Sequence, residues 1–223
     1  MDARERLRTL RAEAKNRRDP AAADDTLALL LALARLRGAE NILEIGTAEG
    51  LTSVALLLEF PRAKVTTIES DEERYARAKE NFCSFGVEGR VRPLLADAAD
   101  VLPALAGPFD LIFLDGPKAQ YVWYLPELER LLAPRGLLFA DDVLLYGWVN
   151  GREETPPKRR SIVRRIREFL AVAAERFSVC VLEVGEGAAL CTRSEFSPQE
   201  RALLCGTGAS IPLSDCFPAG ERD

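Results

Sequence analysis

The sequence predicts an α/β domain built on an open, doubly wound, mostly parallel sheet of seven strands with an antiparallel hairpin at one edge. Apolar runs alternate with helical stretches from residue 41 to residue 142, and such alternation favours parallel strands joined by right-handed crossovers. Two later apolar runs, 178–184 and 187–193, are joined through a glycine-containing turn that suits a hairpin. Acidic residues follow several strands at the carboxyl edge, where such folds bind ligands.

Each predicted element has its own signal. Pro20 ends the first helix because proline disfavours helix in the residue before it, and Gly38 is a suitable stop for the second. Strands are assigned to β-branched or apolar runs, and the helix from Asp71 begins with three acids that suit a helix N-terminus. The predicted elements are helix 3–18, a helix ending at Gly38, strand 41–45, helix 51–59, strand 64–70, helix 71–82, strand 90–97, helix 101–106, strand 109–115, helix 118–132, a turn at 134–136, strand 137–142, helix 161–177 and the hairpin.

The length of 223 residues and the 48% hydrophobic content suit one domain with a full-sized core. We predict a basic amino-terminal helix over 1–21, a ligand-binding domain over 22–194 and a partly ordered tail over 195–223. No apolar run approaches the roughly 20 residues that span a bilayer, and the first residues lack the apolar centre of a signal peptide. These observations predict a cytoplasmic protein without a membrane partner.

Residue types that are missing restrict the chemistry. The chain has no histidine, which excludes histidine triads, ligands and general bases. The five cysteines show no CxxC spacing, which argues against a thiolate zinc site or a disulfide framework. Any acid, base or metal ligand must therefore be Asp, Glu, Lys, Tyr or Cys.

The glycine-containing turn after the first strand, within NILEIGTAEG, predicts the site of a cofactor. The turn does not match the dinucleotide pattern G-x-G-x-x-G, but E-x-G-x-x-x-G suits a ligand with an amino acid portion. Glu44 would face its ammonium group, Thr52 its carboxylate, and Glu69 a ribose diol. These requirements describe S-adenosylmethionine, although any parallel sheet carries glycines and acids at its strand ends.

A second group of residues, Asp115, Asp141, Asp142 and Lys118, predicts the reaction chemistry. Three carboxylates at adjacent strand ends would repel one another unless a cation neutralised them, and magnesium is suited to oxygen ligands. A neutral Lys118 could then remove a proton from an acceptor hydroxyl. The alternatives are that Asp141 and Asp142 only form a cap or turn, and that Lys118 is a solvated surface residue. We interpret the aromatic residues 121, 123 and 124 as core.

Two basic clusters stand out in a chain with a net charge of −5. The first lies within residues 1–18, and the second, within 152–167, includes Lys158, Arg159, Arg160 and Arg164. Each is either a solvated helix face or a footprint for a polyanion. A segment between the last parallel strand and this helix, 145–160, is polar and contains prolines, and we predict a mobile loop beside the site.

Four stretches together, ILEIGTAEGLTSVALL, TIES, FDLIFLDGPKAQY and GLLFADDVLLYGWV, resemble the cation-dependent, catechol-type O-methyltransferases over roughly residues 24–194. The resemblance implies the Rossmann-like methyltransferase fold, with Asp115, Asp141 and Asp142 as metal ligands and Lys118 and Asp115 as catalytic residues. It implies a cofactor site lined by Glu44, Gly46, Thr47, Gly50, Thr52, Glu69, Ser70, Asp97, Ala98 and Asp115.

Within that family, the segments DDVLLYGWV, PPKRRSIVRRIREF and VGEGAAL most resemble the bacterial enzymes that methylate 5-hydroxyuridine in transfer RNA. The resemblance implies a transfer RNA partner bound through the second basic cluster, and it also admits a homodimer. Two other readings stay open: an O-methyltransferase for a small catechol or phenol, and a non-catalytic cofactor-binding module. The family usually has Asp-Asn where this chain has Asp141-Asp142, so we expect tighter metal binding or a different ion preference.

Overall fold

The computed structural model describes residues 2–16 and 21–193. The predicted helix end at Asp19-Pro20 and the predicted tail at 195–223 lie outside these residues. No helix in the described ranges is long and apolar enough to cross a membrane. The α-helices are α1 Ala3–Asn16, α2 Asp24–Arg37, α3 Leu51–Glu59, α4 Glu72–Ser84, α5 Ala98–Val101, α6 Tyr121–Leu131 and α7 Arg160–Arg176.

The seven strands form one sheet in the order β3-β2-β1-β4-β5-β7-β6. The pairs among β1 to β5 are parallel, whereas β7 pairs antiparallel with both β5 and β6. This confirms the predicted doubly wound, mostly parallel sheet with an antiparallel edge hairpin. The strands are β1 Asn41–Ile45, β2 Lys64–Glu69, β3 Val91–Leu95, β4 Phe109–Leu114, β5 Leu132–Ala140, β6 Ser178–Leu182 and β7 Ala188–Thr192.

The central strands are buried on both faces, which explains their nearly continuous apolar sequences. On β4, Ile112 and Leu114 pack into the core shared with α6 and α7. Leu111 and Phe113 pack into the second core, shared with α2 and α3. The sheet therefore lies between two helical layers, and its carboxyl edge remains the open side.

Two predicted boundaries are wrong. Residues 134–136, predicted as a turn, lie inside β5, where the pairing register with β4 shifts between Phe109 and Leu111. Strand β5 pairs with β4 before this stretch, at Leu132, and again after it, from Leu137. Residues that favour a turn locally do not reveal this pairing. The helix predicted over 101–106 is instead the short α5 followed by a 3₁₀ turn at Leu102–Ala104.

The first helix, α1, lies against the helices α2 and α3. Arg11 on α1 is buried, and its Nη2 donates to the carbonyl oxygen of Ala22 at 2.7 Å and to Oδ1 of Asp24 at 2.8 Å. Leu7 and Ala14 are buried in the core shared with α2 and α3. The α1 helix thus forms one wall of the cleft described below.

Candidate active site

Strand β1 is followed by a turn at the carboxyl edge of the sheet, next to the place between β1 and β4 where the strand order reverses. Gly46 and Gly50 have φ values of 96° and 74°, as the glycine pattern predicts. A side chain at Gly46 would overlap the backbone carbonyl of Asp115, and one at Gly50 would overlap the ring of Phe82. These glycines are therefore required by close packing inside the protein.

The turn opens onto a cleft of about 1260 Å³ that runs along the carboxyl edge and past α1. Six of the predicted cofactor residues line it: Gly46, Glu69, Ser70, Asp97, Ala98 and Asp115. Thr47 and Thr52 line a small adjoining cavity together with Gly46 and Asp115. Glu44 and Gly50 lie behind the turn and line neither space.

Glu44, on β1 directly before the turn, is fully buried. Its Oε2 accepts hydrogen bonds from Oγ of Ser53 at 2.5 Å and Oγ1 of Thr67 at 2.6 Å, while Oε1 has no hydrogen-bond partner. Burial raises the pKa of Glu44 to about 7, and the charges of Asp115 and Glu69 add to that effect. Thr47 extends this buried network, because its hydroxyl lies 2.6 Å from that of Thr67.

Glu69 lies at the end of β2 on the cleft. Its Oε2 accepts the backbone N–H of Ala48 at 2.8 Å, and Oε1 accepts those of Ser70 and Asp71, both at 2.9 Å. Asp97 follows β3 and caps α5 by accepting the N–H of Ala99 at 2.8 Å. Both carboxylates are thus held in place by backbone donors at the edge of the cleft, at the positions that the sequence analysis assigns to them.

The second predicted group is brought together at the ends of β4 and β5. Sheet hydrogen bonds fix the backbone there, since Asp115 N donates to Ile45 O at 2.8 Å and Asp141 N donates to Leu114 O at 3.0 Å. Asp115, Lys118, Asp141 and Asp142 all line the cleft. Asp142 has a φ of 57°, a left-handed conformation that Asp and Asn adopt more readily than most residues.

Lys118 lies between two of the carboxylates. Its Nζ is 2.7 Å from Oδ1 of Asp115 and 3.0 Å from Oδ2 of Asp142. Burial alone would lower the pKa of Lys118, but the oxygens of Tyr121, Asp115 and Asp142 outweigh burial and raise the pKa well above its usual range. Lys118 is therefore paired as an ammonium with these two carboxylates in this arrangement.

The acidic residues are also shifted. Burial, followed by the charges of Asp115 and Asp142, raises the pKa of Asp141 to about 7. Burial raises the pKa of Asp115 as well, although Lys118 opposes the change. Within residues 2–16 and 21–193, no three acidic or cysteine side chains are arranged as a metal site. The three predicted ligands nevertheless line the same cleft, and the Lys118 ammonium is the counter-charge of Asp115 and Asp142.

Sequence reasoning missed the supports of this acidic end. Val143 N donates to Gly187 O at 2.9 Å, and Glu186 accepts N–H groups from residues 144, 145 and 146. No local motif could reveal a partner that is about 40 residues away. Of the aromatic residues interpreted as core, Tyr121 and Tyr124 are buried, but Trp123 is 60% exposed and lies against the guanidinium of Arg165.

The sequence is similar to those of known O-methyltransferases. The O-methyltransferase family matches residues 3–194. A catechol O-methyltransferase of Niastella koreensis is 36% identical over 152 residues, covering 66% of this chain and 67% of that protein. A caffeoyl-CoA O-methyltransferase of Eucalyptus gunnii is 32% identical, covering 74% of this chain and 70% of that protein.

Two solved structures extend the likeness to cofactor-bound proteins. The O-methyltransferase TomG of Streptomyces achromogenes, in complex with S-adenosylmethionine, has 27% identity and a TM-score of 0.72, covering 87% of this chain and 90% of that one. The methyltransferase PaMTH1 of Podospora anserina, bound to S-adenosylhomocysteine, has 26% identity and a TM-score of 0.74, covering 86% of each chain.

The sheet order and the cleft at its carboxyl edge define a Rossmann-like methyltransferase. The chain belongs to the O-methyltransferase family of the caffeoyl-CoA and catechol type, and it is an S-adenosylmethionine-dependent enzyme. This result excludes the non-catalytic module that the sequence analysis leaves open.

Proposed function

We propose that the protein methylates the 5-hydroxyl of 5-hydroxyuridine in transfer RNA, with the help of a divalent cation. In this reaction the acceptor hydroxyl gives its proton to Nζ of neutral Lys118, its oxygen forms a bond to the methyl carbon, and the carbon–sulfur bond breaks to give S-adenosylhomocysteine. A divalent cation on Asp115 and Asp142 would replace the ammonium as their counter-charge and so favour neutral Lys118. The observation that carries the proposal is one continuous cleft, lined by Gly46 and Glu69 at the donor side and by Asp115 and Asp142 at the acidic side. Transfer then requires alignment of oxygen, methyl carbon and sulfur.

The acidic side has the donor chemistry for a hard cation such as magnesium. Asp115 and Asp142 already lie within 3.0 Å of one positively charged nitrogen, so their oxygens are close enough to share a cation. Asp141 lines the same cleft and would complete the set. When bound, a divalent ion lowers the pKa of a hydroxyl that it holds.

Calorimetric titration of magnesium into the chelator-treated protein tests cation binding without depending on turnover. We expect saturable binding in the wild type and none in Asp141→Asn. In a separate activity assay, magnesium should restore the activity that chelation removes. Full activity in the presence of excess chelator would disprove the role of the cation.

Transfer RNA as acceptor is supported by a surface of unpaired positive charge. Lys158, Arg159, Arg160 and Arg164 are exposed and form no ion pair with the described residues, although the chain carries a net charge of −5. Such groups contact nucleic acid phosphates and position the duplex or loop. Trp123 is 60% exposed and lies against the guanidinium of Arg165, which is on α7 like Arg160 and Arg164. Bases stack on exposed aromatic rings of this kind.

A small catechol or phenol is the second candidate acceptor. The similarity to the Niastella koreensis protein, whose name states that it acts on catechol, favours it. In that case the basic surface would only be solvated, and its removal would leave turnover unchanged.

Incubation of bulk transfer RNA or catechol with the protein, labelled S-adenosylmethionine and magnesium distinguishes the two acceptors. We expect label in 5-methoxyuridine by nucleoside mass analysis, and a loss of about tenfold or more in the variant Lys158→Ala, Arg159→Ala, Arg160→Ala. The matched control, Arg37→Ala, Arg92→Ala, Arg135→Ala, removes the same charge elsewhere. Label in catechol alone, unaffected by the first variant, would refute the transfer RNA proposal.

A further inference from the structure

Tyr146 has an exposed aromatic side chain in the cleft itself. Four large hydrophobic residues of the described ranges are exposed: Leu36, Leu95, Trp123 and Tyr146. Of these four, only Tyr146, which is 61% exposed, lines the cleft, together with Lys118, Asp141 and Asp142. An apolar ring left accessible beside the reaction chemistry is a surface on which a ligand can pack.

The backbone at this position is held in an unfavourable conformation. Tyr146 has a φ of 60° and Leu145 a φ of 46°, which are uncommon for bulky residues and cost energy. Glu186 compensates, because its backbone oxygen accepts the N–H groups of Leu144 at 2.9 Å and Leu145 at 3.1 Å, and its Oε2 accepts that of Tyr146 at 2.7 Å. The edge hairpin thus fixes where the tyrosine lies.

The ring also has a rigid support. Its centroid is 5.0 Å from that of Trp148, and the two planes are tilted by 52°. Trp148 in turn is held by its neighbours, since its N–H donates to Leu145 O at 3.1 Å and its carbonyl accepts Nη2 of Arg167 at 3.2 Å. A supported but accessible ring loses little freedom when it binds a second ring.

We propose that Tyr146 is a specificity-determining residue that packs its phenol ring against the flat ring of the acceptor and so directs a ring hydroxyl toward the acidic end of the cleft. The inference rests on the proposed function, but it applies equally to a hydroxylated pyrimidine and to a catechol, because both present a flat ring with an adjacent hydroxyl. It explains why a strained, exposed tyrosine occupies a position where Asn or Gly would be more stable.

Two variants test this role. Tyr146→Asn removes the ring and relieves the left-handed strain, whereas Tyr146→Phe keeps the ring and removes the hydroxyl. For whichever of catechol and transfer RNA the wild type methylates, we expect Tyr146→Asn to raise KM about three- to tenfold, the range of one aromatic contact, with kcat changed less than about twofold. Tyr146→Phe should keep KM within about twofold of wild type, and so should the control Leu36→Ala.

Thermal unfolding and the cofactor Kd separate this role from a structural one. We expect Tyr146→Asn to melt at the same or a higher temperature than wild type and to bind S-adenosylmethionine unchanged. If the wild type is active and Tyr146→Asn has the same KM for the acceptor, the inference is wrong and the proposed function stands. The inference is also wrong if Leu36→Ala raises KM as much as Tyr146→Asn does. A wild type that methylates neither acceptor would instead overturn the proposed function, and the inference with it.

Discussion

Two turns at the carboxyl edge use the same uncommon backbone conformation in opposite ways. The turn after β1 has positive φ at Gly46, Ala48 and Gly50, and side chains added at the two glycines would overlap Asp115 and Phe82. The segment after β5 has positive φ at Asp142, Leu145, Tyr146 and Gly147, of which Asp142 and Tyr146 line the cleft. The first turn, on the proposed donor side, therefore needs glycine where its backbone packs against other residues. The second segment, on the proposed acceptor side, uses the same conformation at a bulky residue whose side chain lies in the cleft.

The two glycines of the turn after β1 leave no room for side chains, which suits one constant ligand such as the methyl donor. The segment after β5 depends on individual side chains and on distant supports, so the chemistry that it offers can vary without a change in the sheet. We therefore expect acceptor selectivity to lie in the second segment.

The largest effect is expected at the donor turn. Gly46→Ala places a methyl group against the carbonyl of Asp115, and we expect a loss of about 3 kcal/mol or more in the free energy of unfolding. Gly38→Ala is the matched control, because Gly38 also has a positive φ of 62° but nothing lies within 4 Å of an added methyl group. Urea unfolding measures both. Equal losses would show that conformational strain, and not packing, sets the requirement for glycine.

At the acidic end, Asp115→Asn preserves shape but removes the charge that lies 2.7 Å from Lys118. We expect kcat to fall about 100-fold, because the variant loses a ligand of the proposed cation, with the unfolding temperature within a few degrees of wild type. Asp100→Asn, an exposed site outside the cleft, serves as control. If the variant retains most of its activity, Asp115 is not a catalytic residue.

The buried network behind the donor turn predicts a pH effect on stability. Because the pKa of Glu44 rises from 4.5 to about 7 on folding, the unfolded chain ionises first as pH increases. The free energy of unfolding therefore falls between about pH 4.5 and pH 7, by about 3 kcal/mol from this residue. Urea unfolding at pH 5 and pH 8 measures the free energy of unfolding of the wild type and of Glu44→Gln. The variant should lose less stability between these two pH values, because only the contribution of Glu44 is missing and Asp141 contributes equally to both proteins. An equal loss in the two proteins would contradict the role of Glu44.

The smallest effect is expected from Asp142→Asn. Asn adopts the φ of 57° as readily as Asp, so stability should change by less than about 0.5 kcal/mol. The substitution removes one carboxylate from the acidic group, and we expect the magnesium concentration for half-maximal activity to rise about fivefold. Activity titrations with magnesium measure it. An unchanged requirement would mean that Asp142 serves only the turn.

The sheet and the donor side could be predicted from the sequence because their signals are local. The run 41–45, the glycines that follow it and the acid at the end of β2 each constrain the backbone within a few residues. The register shift around residues 134–136 and the burial of Glu44 could not be predicted, since both depend on neighbouring strands. The ammonium state of Lys118 depends on the distances to two carboxylates, which spacing in the sequence does not give.

The edge hairpin determines when, during synthesis, the residues after β5 obtain their hydrogen-bond partners. Gly185 N donates to Oδ2 of Asp25 at 3.0 Å, and the next two residues, Glu186 and Gly187, accept the N–H groups of residues 143–146. During synthesis the residues of the proposed donor side emerge by Asp115, but residues 143–146 lack these supports until Gly187 has followed. A chain interrupted between these points would carry the parts of the proposed donor site and an unsupported acceptor side. On this proposal, acceptor selectivity therefore arises only after β6 and the turn before β7 are added.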